Sequence, residues 1–131
     1  MPADLTDAPP AILFLTRDLF FLSRVTGTAQ ILGLTVQVVG RADEAVRRLA
    51  ADAYRGLLVD LADQELDVAQ LMAALPPQGR PRVIAFGPHV ATSRLDAARQ
   101  AGCDVVLPRS RFTTELPTLL GQFAARPPTD H

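Results

Sequence analysis

The chain has 131 residues, 48% of them apolar, and a formal net charge of −1. That length suits one domain, and the apolar content supports a packed core rather than disorder. The near-neutral charge removes any bulk pull toward nucleic acid or an anionic membrane, and no apolar stretch approaches the roughly 20 residues of a membrane span.

In chain order, residues 1–10 end in Pro9-Pro10 and read as a flexible leader. The unbroken apolar run Ala11–Leu15 predicts a buried first strand. Asp18 then opens a helix with Leu19, Leu22, Val25, Ala29 and Leu32 at helical spacing, and Gly33 ends it. Leu34–Val39 is a β-branched second strand. Asp43 to Ala51 is a short helix with Ala45, Val46, Leu49 and Ala50 facing inward. Leu57–Val59 is a third strand closed by Asp60, and Asp67 to Leu75 a third helix. After the turn Gln78-Gly79-Arg80-Pro81 come a strand at Val83–Phe86, a helix from Ser93 to Ala101 stopped by Gly102, and a strand at Val105–Leu107. A last helix starts at Thr113 or Thr114, with Leu116, Leu119, Leu120 and Phe123 inward. Residues 125–131 read as a disordered tail. Five such units predict an α/β, flavodoxin-like three-layer sandwich over 11–124. Its sheet is five-stranded and parallel, in the order 2-1-3-4-5, with five helices.

Asp60 ends the central run Leu57-Leu58-Val59, at the carboxyl edge where open α/β sheets place their ligands. All 13 basic residues are arginine, which excludes a lysine Schiff base and a P-loop lysine. No glycine follows the first strand in "LTRDLFF", against a phosphate-cradling loop. Cys103 is the single cysteine, so it forms no internal disulfide and reads as a small buried hydrophobe. His89 lies in the stiff Gly87-Pro88 loop with no evident nucleophile beside it, and Asp63, Glu65 and Asp67 read as solvated loop carboxylates. The acidic amino-terminal segment lacks the basic start of a signal peptide, and a cytoplasmic location is expected.

With these residues in view, the chain resembles the receiver domains of bacterial response regulators over about residues 10–124. The resemblance implies a phosphoacceptor at Asp60. It implies a magnesium-binding acidic pair where this chain has Thr16 and Arg17, with Asp18 just after. It implies a Ser or Thr switch where Phe86 or Gly87 stands, and a lysine near Arg109. The run Ala101-Gly102-Cys103-Asp104 matches the family's approach to its last strand. So few carboxylates beside Arg17 do not suit magnesium, and neither a metal nor another cofactor is expected. Arg17 either holds Asp60 bidentately or points to solvent, and Arg109 either pairs with Asp60 or lies on the surface.

The leading expectation is a stand-alone pseudo-receiver, a non-enzymatic signalling module working through a protein partner or self-association. Neither nucleic acid nor membrane is an expected partner. The alternatives are a response regulator phosphorylated on Asp60, and a small ligand-binding or enzymatic flavodoxin-like domain. The resemblance places the partner surface on the fourth helix, fifth strand and last helix, with Arg94, Arg99, Asp104 and Arg111 as interface candidates.

Overall fold

The computed structural model describes residues 11–124. The expected leader, 1–10, and tail, 125–131, lie outside the described residues. Five strands form one parallel sheet: β1 (Ala11–Leu15), β2 (Thr35–Val39), β3 (Gly56–Asp60), β4 (Arg82–Gly87) and β5 (Val105–Pro108). Their order is β2-β1-β3-β4-β5, the flavodoxin-like order expected from the sequence. The helices are α1 (Leu19–Ile31), α2 (Ala42–Ala51), α3 (Val68–Ala73), α4 (Thr92–Gln100), α5 (Arg109–Thr114) and α6 (Leu116–Ala124).

Strand alternation sorts the core into two layers. Leu13, Leu15, Leu57, Val59, Val83 and Ala85 pack with Ala45, Leu49, Leu71 and Leu95 of α2, α3 and α4. Ile12, Phe14, Leu58, Ile84, Phe86 and Leu107 pack with Phe21, Val25, Phe112, Leu120 and Phe123 of α1, α5 and α6. Every residue of β3 is buried, as a central strand covered on both sides must be.

Three expectations are corrected. The expected fifth helix is two helices, α5 beginning at Arg109 directly after the strand and α6 following at Leu116. Pro117 contributes to the break at Glu115, because it offers no N–H to the preceding turn. In α1, Leu22, Val25, Ala29 and Leu32 meet the core as expected, and Leu19 does not. Phe21, Val25 and Ala29 are buried, whereas Leu19 is 72% exposed. In α2, Ala45 and Leu49 face inward and Ala50 is exposed.

One glycine is required by packing. A Cβ on Gly56 would stand 2.6 to 2.9 Å from the ring of Phe123, which is buried. Arg55 donates to the Phe123 carbonyl at 2.6 Å and holds that end of α6 in place. Gly56→Ala is therefore expected to lower stability by about 2 kcal/mol through overpacking. Gly27→Ala, at a helical glycine with nothing within 4 Å of the new atom, is expected to raise it by up to ~1 kcal/mol. Thermal melts of the two variants check the opposite signs.

Candidate functional site

Asp60 is only 4% exposed and lies beside Phe86 in the β3–β4 register. Leu15 pairs with Val59, so Thr16 arrives next to Asp60 at the carboxyl edge of the sheet. Both continue the alternation of Phe14 and Leu58, and they face the α1–α5 layer.

The carboxylate is engaged on both oxygens. Thr16 Oγ1 donates to Asp60 Oδ2 at 2.8 Å, and the backbone N–H of Ala62 donates to Oδ1 at 3.0 Å. Thr16 Oγ1 also accepts from the N–H of Asp18 at 3.1 Å. Asp18 caps α1 by accepting from the Phe21 N–H at 3.0 Å.

Arg109 supplies the cation. As the first residue of α5 it is carried to the edge by β5, and its NH2 group stands 3.7 Å from Asp60 Oδ2 and 3.6 Å from Asp18 Oδ2. Its guanidinium carbon lies 4.9 Å from the centre of the Phe21 ring, within cation–π range. The buried Nε of Arg109 has no hydrogen-bond partner. The aromatic face of Phe21 is what lies against this guanidinium.

Arg17 does not join the group. It takes the opposite alternation from Thr16 and is mostly exposed, with Glu65 as its ion-pair partner at 3.9 Å. With Gly40, Arg41, Asp63 and Glu65 it lines an open cleft of about 420 Å³. Of the two arginines considered for Asp60, the structure places Arg109 there.

The positions where the resemblance expects a Ser or Thr are filled otherwise. Phe86 is fully buried and stacks on Phe112, with ring centres 4.1 Å apart and planes 12° apart. A Cβ on Gly87 would stand 3.1 Å from Leu61 Cβ, so even a small side chain there crowds a buried neighbour.

The magnesium that the resemblance implies does not fit this donor set. Asp18 and Asp60 are its only carboxylates, and a guanidinium already spans them. A dication about 4 Å from that guanidinium would meet a repulsion of about 8 kcal/mol at an effective dielectric near 20. No group of three or more His, Cys, Asp or Glu placed to hold a metal occurs among the described residues.

Two of the four interface candidates, Arg94 and Asp104, are tied to the backbone of other elements. Arg94 is turned inward, its Nε donating to Leu61 O at 2.7 Å and its NH2 to Asp63 O at 2.8 Å and Leu66 O at 3.0 Å. Asp104 accepts from the Val83 N–H at 2.7 Å and pairs with Arg80 at 3.1 Å, joining β5 to β4. Arg99 and Arg111 remain on the surface, paired with Asp96 and Glu115 along their own helices. Cys103 is half-buried rather than buried. It packs against the core, and burial pushes its thiol up to about 11.

Solved structures give the comparison. A putative response regulator from Chloroflexus aurantiacus superimposes with a TM-score of 0.75 at 17% identity, over 90% of this chain and 99% of that one. The receiver fold is shared. A Francisella response regulator receiver domain gives 0.72 at 19% identity, over 88% of this chain and 96% of that one. The receiver domain of a Pseudomonas aeruginosa sensor histidine kinase, solved with magnesium in its active-site cleft, gives 0.73 at 22% identity, over 89% and 98%. No model of a protein family matches the chain, and neither does any curated protein. No helix among the described residues is long and apolar enough to cross a membrane.

Proposed function

We propose that this receiver-fold domain is a pseudo-receiver, a signalling module that works by protein contact without accepting phosphate. The observation that carries this reading is the closed group around Asp60. Both carboxylate oxygens are hydrogen-bonded inside the chain, and Arg109 lies between Asp60 and Asp18. Phosphoryl transfer to a carboxylate needs a cation that neutralises the transferred oxygens and a free oxygen to attack. Here the cation is a fixed side chain, and each Asp60 oxygen already accepts a hydrogen bond from the chain itself. The reading includes a protein partner or self-association, a cytoplasmic setting and no enzymatic step. Arg99 and Arg111 remain its candidate surface residues.

The test is direct. Acetyl phosphate or beryllofluoride, each with magnesium, is expected to leave the intact mass unchanged. A stoichiometric mass gain that disappears in Asp60→Asn would overturn the reading and establish a phosphoaccepting regulator.

A further inference from the structure

One peptide unit lies between two side chains of different elements. The Leu61–Ala62 peptide offers its N–H to Asp60 Oδ1 at 3.0 Å, and its carbonyl accepts from Arg94 Nε at 2.7 Å. A peptide group is planar and moves as one body. If it tilts to lose Asp60, it also misaligns the carbonyl held by Arg94. The same guanidinium takes the carbonyls of Asp63 and Leu66, so one side chain of α4 holds the loop after β3 at three points. The start of that loop has little freedom of its own. The N–H of Leu61 donates to the Phe86 carbonyl at 2.8 Å, and the missing side chain at Gly87 lets Leu61 approach β4 closely.

We propose that Arg94 braces the first turn of α4 to the Asp60 cluster through the Leu61–Ala62 peptide. The position of α4 then depends on whether Asp60 keeps its hydrogen bonds. This deepens the pseudo-receiver reading and rests on it. The cluster holds one face of the fold in a fixed arrangement, and α4 is the element of that face it reaches. The route does not use a hydroxyl at the end of β4, where this chain has Phe86 and Gly87. Arg94 acts through the loop and is a positioning residue. The coupling is reciprocal, as any coupling between two sites must be.

The experiment is hydrogen exchange by NMR on the whole chain, without a phosphodonor. It reads the Ala62 amide, the Arg94 and Leu95 amides that donate to the Ala91 carbonyl, and the Arg94 Nε–H. Asp60→Ala is expected to shift the Nε–H resonance and speed exchange of the Arg94 and Leu95 amides by about tenfold beyond any global change. Arg94→Gln is expected to speed exchange at Ala62 by a similar factor, and the double variant to add little to either single change. Arg94→Lys, which reaches fewer carbonyls, falls between. Arg99→Gln, on the surface of the same helix, leaves Ala62 unchanged. An unmoved Nε–H resonance and intact α4 protection in Asp60→Ala overturn the proposal, as does an unchanged Ala62 amide in Arg94→Gln. If Asp60→Ala does not fold, the Ala62 amide in Arg94→Gln decides. A mass gain in the phosphodonor assay would remove the pseudo-receiver reading, and the exchange data would still report separately whether Arg94 and Asp60 are coupled. A failed coupling would leave that assay's outcome untouched.

Discussion

Phe112→Ala is expected to lower the unfolding free energy by about 3–5 kcal/mol, a large share of the roughly 5–15 kcal/mol typical of such domains. Phe112 is fully buried, stacks on Phe86 at 4.1 Å and meets Phe21 at 5.8 Å. Removing the ring loses its transfer energy, its stacking and the filling of a cavity that three fixed rings cannot close. The neighbouring rings have little room to move, because Phe14, Phe21 and Phe86 already lie against one another at 5.3 to 6.5 Å. Phe20→Ala is the matched control. Its ring is 87% exposed, and the change is expected to stay within about 0.5 kcal/mol. Urea unfolding of both variants checks the contrast. A loss below about 1 kcal/mol for Phe112→Ala would mean that the aromatic cluster does not anchor α5.

This cluster also has a consequence for the site. Phe112 fixes α5, and Arg109 is that helix's first residue. Phe86 occupies the sheet position beside Asp60 and turns the volume under the carboxylate into packed hydrocarbon. The site is therefore rigid below, through rings, and closed above, through Thr16, Ala62 and Arg109.

The fold was legible because its signals are local. Asp18 caps α1 and Asp67 caps α3. Gly33 and Gly102 take positive φ just beyond their helices, a conformation glycine adopts without strain. The unbroken apolar runs appear as buried strands. What failed locally was the choice between neighbouring apolar residues two positions apart. Leu19 and Phe21 both suit an inward position, and only the seating of α1 on the sheet decides for Phe21. The split of the last helix was signalled by Pro117, which the helical spacing of Leu116, Leu119 and Leu120 concealed.

The site was legible in part. Asp60 at the end of β3 followed from the run before it. The choice between Arg17 and Arg109 needed strand alternation, which turns Arg17 away from the side that Thr16 and Asp60 share. The hydrogen bond from Thr16 to Asp60 depends on the β1–β3 register, which one sequence does not contain. Arg94 was read as a surface residue because its three carbonyl partners lie 28 to 33 residues away and have no side-chain signature.

The Asp60 series follows from the same geometry. Asp60→Ala is expected to lower stability by about 2–3 kcal/mol, because it leaves the Thr16 hydroxyl, the Ala62 N–H and Arg109 without their shared acceptor. Asp60→Asn keeps an oxygen for Ala62 but turns an amide toward Arg109, and about 1 kcal/mol is expected. Arg109→Met is expected to cost about 1 kcal/mol or less. Its side chain is 37% exposed, and its distances of 3.6 and 3.7 Å exceed those of direct hydrogen bonds, so solvent screens much of the attraction. Asp60 would keep its bonds from Thr16 and Ala62 in that variant. A double-mutant cycle with Asp60→Ala and Arg109→Met isolates the pair, and a coupling of about 0.5–1 kcal/mol is expected. Denaturant unfolding at low and high salt is the measurement, because the Arg109 contribution should shrink with ionic strength while the hydrogen bonds from Thr16 and Ala62 should not. An unchanged midpoint in Asp60→Ala would mean that water already serves these groups, and that the carboxylate is free for chemistry the closed arrangement otherwise denies it.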